Sequence, residues 1–229
     1  KRETPFFLAV GFFRPHTPFV APKKYFDLYE REKIEIPEIS SEYLATLPEP
    51  AVKSIRAKKN QLNLEKELAQ EIKEAYYATI SFVDAQVGRI LDQLETNGLD
   101  KNTIVIFTSD HGYHLGEHGH WQKQTLFENA TRIPLIISAP NSENKGEKSM
   151  SPVELIDLYP TLMDLTNISI PQHVVGKSLV PLMKNVNALV RKSALTRWRN
   201  GYSIKTKRYR LTKWGSNGEF GYELYDHKN

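Results

Sequence analysis

The 229 residues contain no cysteine. That removes a disulfide framework, a thiolate metal site and a cysteine nucleophile together, while leaving the redox compartment open. No run of about 18 apolar residues occurs, so no segment reads as a membrane-crossing helix. The first residue is Lys1 rather than Met, and no apolar leader precedes the first strand-like run, so the natural N-terminus is expected upstream. Acidic residues are missing from Leu165 to Gly218. That interval carries eleven cations, Lys177, Lys184, Arg191, Lys192, Arg197, Arg199, Lys205, Lys207, Arg208, Arg210 and Lys213, against a net charge of +4 for the chain, which leaves −7 for the rest. A one-signed field of this kind can gather a polyanion such as a nucleic acid or a sulfated glycan, and it fits a solvated basic face equally well. Internal repeats and low-complexity tracts are also missing. The 40% hydrophobic content supports a real core, in one large domain or two small ones.

What is present reads as α/β. Pro5 to Val10 (PFFLAV) is a short apolar run suited to a buried strand, followed by the loop GFFRPHTPF and by Pro18, Pro22 and Pro37, which fit an extended surface segment. From about Leu64 to Leu94 the apolar residues Ile72, Tyr76, Ile80, Val83, Val87, Ile90, Leu91 and Leu94 recur at three and four, which predicts a long helix ended by Asn97-Gly98. Thr103 to Thr108 (TIVIFT) and Ile133 to Ser138 (IPLIIS) are buried-strand candidates. Ser151-Pro152-Val153-Glu154 has a cap residue, a proline at the first helical position and a Glu three after the cap, predicting a helix from there to about Leu165. Strand, helix, strand, strand, helix points to a largely parallel central sheet flanked by helices. Beyond about Leu182, short β-rich runs at Ala194–Arg199, Tyr202–Thr206, Tyr209–Trp214 and Tyr222–Tyr225 predict a small antiparallel meander. The expected division is residues 1–185 and 186–229.

The stretch Ser109 to Lys123, SDHGYHLGEHGHWQK, holds four histidines and two carboxylates in fifteen residues. His114-Leu115-Gly116-Glu117-His118 matches the H-x-x-E-H zinc-protease pattern, but that motif needs a continuous helix, and Gly112, Gly116 and Gly119 each cost about 1 kcal/mol in a helix interior. Asp110 and His111, at the carboxyl end of a predicted strand with a glycine next, make a better half-site for a divalent cation, because that edge is where open α/β sheets bind ligands. It is half only: a hard cation such as Ca²⁺ takes six or more ligands. Asp110 capping a turn, with His111 hydrogen-bonded in a core, is the alternative reading of the same residues.

TSDHGYHLGEHGHWQKQTLFENATRIP, from Thr108 to Pro134, resembles the second signature region of the type I sulfatases of the alkaline phosphatase superfamily, and most of all the iduronate 2-sulfatase-like and choline-sulfatase-like branches. FFLAVGFFRPHTPF resembles that family's strand and histidine loop, AYYATISFVDAQVGRILDQLETNGL its long helix, SPVELIDLYPTLMDL the helix after its core, and GYSIKTKRYRLTKW with YELYDH its C-terminal sheet. The resemblance implies an alkaline phosphatase-like fold with its N-terminal part absent. It further implies one Ca²⁺ held in part by Asp110 and His111, and Lys123 and His16 in contact with the sulfate group or its bridging oxygen. A fixed cation stabilises charge that moves onto the leaving oxygen, and an imidazole with a pKa near 6.5 can protonate a departing hydroxyl.

The family nucleophile is a formylglycine made from Cys or Ser in a C/S-x-P/A-x-R motif, and no complete copy is present. Ser138-Ala139-Pro140-Asn141-Ser142 lacks the Arg and follows the wrong strand. The formylglycine and two further metal carboxylates are therefore expected in an upstream segment, of the same chain or a separate one. Tyr113, His114, His120 and Trp121 around the metal motif, with Arg197, Trp198 and Arg199 at a strand end, are the substrate-binding candidates, since aromatic rings stack on sugar faces and Arg forks bind sulfate or carboxylate. The resemblance implies a sulfated sugar as substrate, no nucleic-acid partner, and a periplasmic, secreted or, in a eukaryote, lysosomal location. A phosphatase or phosphonate monoester hydrolase of the same superfamily, and a non-catalytic polyanion binder, are the competing readings.

Overall fold

The computed structural model describes residues 4–140, 142 and 144–228; Asn141 of the rejected nucleophile match lies outside them. Along the chain run α1 (Lys23–Phe26), α2 (Ser41–Thr46), α3 (Glu49–Ile55), α4 (Lys66–Thr96), β1 (Val105–Thr108), α5 (Glu128–Thr131), β2 (Leu135–Ser138), α6 (Leu158–Leu165) and α7 (Val180–Lys184). Four strands follow: β3 (Ala194–Trp198), β4 (Gly201–Lys205), β5 (Tyr209–Trp214) and β6 (Tyr222–Asp226). These elements fall into two compact units, Lys1–Ile36 with Leu64–Leu99, and Pro37–Asn63 with Asp100–Asn229.

The first unit is built on α4. Its apolar residues recur at three and four with no proline to break the ladder, and the helix ends where the sequence predicts. Leu99 N–H returns to Leu94 O at 3.0 Å and Gly98 N–H to Glu95 O at 2.7 Å, which satisfies carbonyls the last turn would leave unpaired. The proline-spaced segment runs antiparallel along this helix. Phe19 meets Tyr76 edge-on (5.5 Å), Tyr29 Oη bonds Ser81 Oγ (2.6 Å), Arg31 pairs with Glu74 (2.7 Å) and Gln70 Nε2 donates to Ile34 O (2.9 Å). Pro5–Val10 has no regular secondary structure and no ladder partner among the described residues, and Phe7 is 83% exposed. An apolar run becomes a strand only when a neighbouring backbone pairs with it.

In the second unit β1 and β2 pair, with Val105 opposite Ser138 and Thr108 opposite Leu135. The α/β class and the C-terminal antiparallel sheet stand as expected, but this pair is antiparallel. A parallel pair needs a crossover of a dozen or more residues, usually helical, whereas 109–134 holds only a 3₁₀ turn and the four residues of α5, so the chain doubles back. The meander β3-β4-β5-β6 forms in sequence order, within a residue or two of its predicted bounds. One of its faces is buried through Ser203, Arg210, Thr212, Trp214 and Glu223. Trp214 packs there with Ala51 and Ile55 of α3, Leu126 and Phe127.

The helix predicted from Ser151 starts later. Glu154 is the N-cap of a 3₁₀ turn over Leu155–Asp157 that runs on into α6, and Glu154 with Asp157 forms a reciprocal capping box. These two carboxylates have further partners that hold them in place. Asp157 is fully buried and accepts from Lys177 N (2.8 Å) and Arg191 Nε (3.0 Å), while Glu154 takes Arg191 Nη1 (2.9 Å) and Leu195 N (2.7 Å). Among the described residues no helix is long and apolar enough to cross a membrane.

Candidate active site

β1 ends at Thr108, whose hydroxyl donates to Pro134 O (3.0 Å), and the next three residues turn away from the sheet. Ser109 Oγ donates to His111 O (2.9 Å), and Asp110 Oδ1 accepts the His111 N–H (3.1 Å). The Asp110 side chain is 85% exposed, with Oδ2 at 3.6 Å from His111 Nε2. His111 Nδ1 donates to Gly112 O (2.8 Å), so the neutral ring carries its lone pair on Nε2, beside that carboxylate oxygen. The turn is held against α5. Gly112 N–H bonds Ala130 O (2.8 Å), and a Cβ at Gly112 would lie 2.0 Å from Asn129 O, so no larger residue fits. α5 is anchored in turn by Glu128, whose carboxylate pairs with the buried Arg210 of β5 (2.6 Å). Burial works to raise the Glu128 carboxyl, but Arg210 outweighs it and holds the pKa below its ordinary value.

From Tyr113 the chain makes a hairpin. His114 N–H bonds Gln122 O and Gly116 N–H bonds His120 O, both at 2.9 Å, so Lys123 falls opposite Tyr113, two residues beyond His111. Gly116 forms the tip with φ 104°, a conformation open to glycine, and Trp121 packs over it. The hairpin thus returns a partly buried lysine to a position opposite Tyr113.

Within this hairpin the candidate side chains divide. His114 has no exposed surface; its Nε2 hydrogen-bonds Thr125 Oγ1 (2.8 Å), and burial, with His120 and His118 nearby, pushes its pKa down to about 3. His120 is buried and its Nδ1 donates to Ile55 O (2.8 Å). Trp121 is buried as well, and Tyr113 Oη donates to Trp121 O (2.7 Å). At the end of β3, Trp198 meets Trp214 edge-on in the core (6.4 Å), whereas Arg197 and Arg199 are exposed and lie over the Tyr202 and Trp198 rings. In the first unit, His16 is exposed and its Nδ1 donates to Thr17 O (2.9 Å), with the Phe13 ring at 5.0 Å.

The donor set fits one side of a cation site. Asp110 offers a carboxylate oxygen and His111 an oriented imidazole nitrogen, two of the six or more ligands Ca²⁺ takes. Among the described residues no group of three or more His, Cys, Asp or Glu is placed to hold a metal. Sequence reasoning missed His118, Tyr43 and Phe127. His118 sits at φ 57° with its ring stacked on Phe127 (4.0 Å) and its Nδ1 bonded to Tyr43 Oη (2.5 Å). Glycines on both sides of Glu117-His118 were the available signal for a left-handed tip; nothing in the sequence pointed to Tyr43.

Comparison with known proteins converges on one family. A model described as "Sulfatase" matches residues 1–168, and one described as "N-sulphoglucosamine sulphohydrolase, C-terminal" matches residues 116–229. A sulfatase of Formosa agariphila is 39% identical, over 98% of this chain and 44% of that protein. The iduronate 2-sulfatase of Homo sapiens is 32% identical, over 92% of this chain and 52% of its own length. Among solved structures, a phosphonate monoester hydrolase from Silicibacter pomeroyi superposes with a TM-score of 0.83 at 25% identity, over 94% of this chain and 48% of that one. The chain spans about half the length of each.

Proposed function

The chain belongs to the sulfatase family, and from that premise we propose that it forms part of a hydrolase that cleaves sulfate esters on a sulfated, glycosaminoglycan-type sugar. The observation that carries this reading is the hairpin: it sets Lys123 opposite Tyr113, two residues past the Asp110-His111 pair at the end of β1. A lysine ammonium near a cation half-site suits a group that carries negative charge and gains it at the leaving oxygen. In this reading Asp110 and His111 hold one side of a Ca²⁺ ion. When bound, such an ion draws charge from the sulfate oxygens. Lys123 binds the sulfate and stabilises its developing charge.

The formylglycine expected of the family has no counterpart in this sequence, nor have the two further metal carboxylates; a segment outside these residues supplies them, in the same chain or as a partner. Arg197 and Arg199, exposed at the end of β3, and Tyr113 contact the sugar. The buried His114, His120 and Trp121 act from below by shaping the hairpin. A periplasmic or secreted location, lysosomal in a eukaryote, goes with the same reading.

The similarity to a phosphonate monoester hydrolase supports a second reading in which the same residues grip a phosphonate. Both are tested by offering the protein, with its nucleophile-bearing segment and Ca²⁺, equal concentrations of an aryl sulfate, a sulfated disaccharide and an aryl phosphonate monoester. A kcat/KM at least tenfold higher for the sulfates supports the first reading. A preference for the phosphonate by the same factor replaces it with the second.

A further inference from the structure

The tip of the hairpin is held by contacts that the metal and sulfate groups do not require. His118 adopts φ 57° in the middle of the 3₁₀ turn Glu117–Gly119, a left-handed conformation that costs a residue with a Cβ and persists only when its surroundings impose it. Three contacts do so. Phe127 stacks on the imidazole (4.0 Å between centroids, 21° between planes), His114 meets it edge-on (5.6 Å), and Tyr43 Oη, from α2, shares a hydrogen bond with Nδ1 (2.5 Å). The Tyr43 hydroxyl lies near that of Tyr225 in β6, whose Oη donates to Glu223 Oε2 (2.6 Å). Glu223 Oε1 in turn accepts the indole N–H of the buried Trp214 (2.5 Å). Tyr43 therefore sits between the Tyr225–Glu223–Trp214 hydrogen bonds of the C-terminal sheet and the tip of the hairpin whose base carries Asp110, His111 and Lys123.

We infer that Tyr43 is a positioning residue: by pinning His118 to α2 it fixes the register of the hairpin, and with it the place of Lys123 relative to Asp110 and His111. The inference rests on the proposed sulfatase reading for its kinetic consequence and on the geometry alone for its structural one. The backbone bonds of His114 to Gln122 and of Gly116 to His120 are rungs between tip and base, so a loosened tip is transmitted to Lys123 through them. A displacement of about 1 Å at a group acting on the transition state lowers the rate by roughly a hundredfold.

The test has two arms. In the first, amide hydrogen exchange is followed in the complete protein and in Tyr43→Phe, which removes only the hydroxyl. The His114 and Gly116 amides should exchange about tenfold faster, with Leu211 and Thr212 of β5 unchanged. In the second, kcat for a sulfate ester should fall by about ten- to a hundredfold with KM little changed, because Lys123 acts mainly in the transition state. Unchanged exchange at His114 and Gly116, or acceleration spread equally through β3–β6, overturns the inference. If Tyr43→Phe fails to fold, His118→Asn against His118→Val decides: asparagine tolerates the left-handed backbone and offers Tyr43 an acceptor, so it should keep hairpin protection that valine loses. Equal behaviour of the two overturns the pin. A wild-type protein inactive on sulfate esters removes the proposed function and leaves the exchange arm to decide this inference by itself.

Discussion

Replacing Asp157 by Asn changes one atom of a side chain that has no exposed surface, and the structure sets the cost. The carboxylate accepts from Glu154 N (2.9 Å), Lys177 N (2.8 Å) and Arg191 Nε (3.0 Å), and from Arg191 Nη2. An amide keeps one acceptor oxygen and turns an NH₂ group towards two of these donors. Breaking a buried ion pair from one side costs about 3–5 kcal/mol. Arg191 retains Glu154 through Nη1 (2.9 Å), which places the expected loss at the lower end, about 3 kcal/mol. At a denaturant slope of about 2 kcal/mol/M, the urea midpoint falls by about 1.5 M. Asp92→Asn on the exposed side of α4 is the control and should stay within about 0.5 kcal/mol of wild type. Equilibrium unfolding of both variants, followed by tryptophan fluorescence, gives the comparison. An Asp157→Asn midpoint within error of the control would refute the claim that this carboxylate ties α6 to the approach of the C-terminal sheet.

Three further outcomes are expected. His114, whose pKa falls to about 3 through burial and through the neighbouring His120 and His118, binds fewer protons folded than unfolded. Its contribution is complete above about pH 6.5 and drains away as the pH falls towards 3, at up to about 1.4 kcal/mol per pH unit and about 5 kcal/mol in all. His114→Gln should flatten a plot of unfolding free energy against pH over that window, and an unchanged slope would contradict the burial. Arg210→Met, which strands the Glu128 carboxylate that anchors α5, should destabilise by about 3 kcal/mol in a melt; no change would mean the pair is not formed. Lys123→Ala should lower kcat for a sulfate ester at least a hundredfold with a smaller effect on KM, whereas near-normal turnover would return Lys123 to the surface.

The meander was legible to within a residue or two because its strands are short, β-rich and separated by turn residues, and α4 because its three-four periodicity runs unbroken to an Asn-Gly stop. The cap of the turn that leads into α6 was placed three residues early, at Ser151 instead of Glu154. Ser151-Pro152 satisfies the local grammar of a helix start, but Glu154 and Asp157 also engage Arg191, Lys177 and Leu195, far along the chain, and those partners select the later cap. The pairing of β1 with β2 was misjudged for a similar reason, since alternation tells a buried strand from a loop but not the direction of its neighbour. Asp110 and His111 follow the end of a strand, as the sequence indicated. The histidines of the hairpin were not separable by sequence: His111 and His114 are of one residue type three positions apart, yet one faces solvent beside a carboxylate and the other lies beneath the hairpin against Thr125. Tyr43 left no local signal because it is 75 residues from the histidine it contacts.

The central claim is that the Asp110-His111 pair is the metal side of a sulfate-ester site, and Asp110→Asn in the complete protein tests it most directly. Calcium binding by isothermal titration and sulfate release from an aryl sulfate are measured on the same preparation, with thermal unfolding as the check on the fold. The account predicts that Ca²⁺ affinity and sulfate release are both lost while the melting temperature without metal is unchanged, since the side chain is exposed. Retained calcium binding together with retained sulfate release would contradict it.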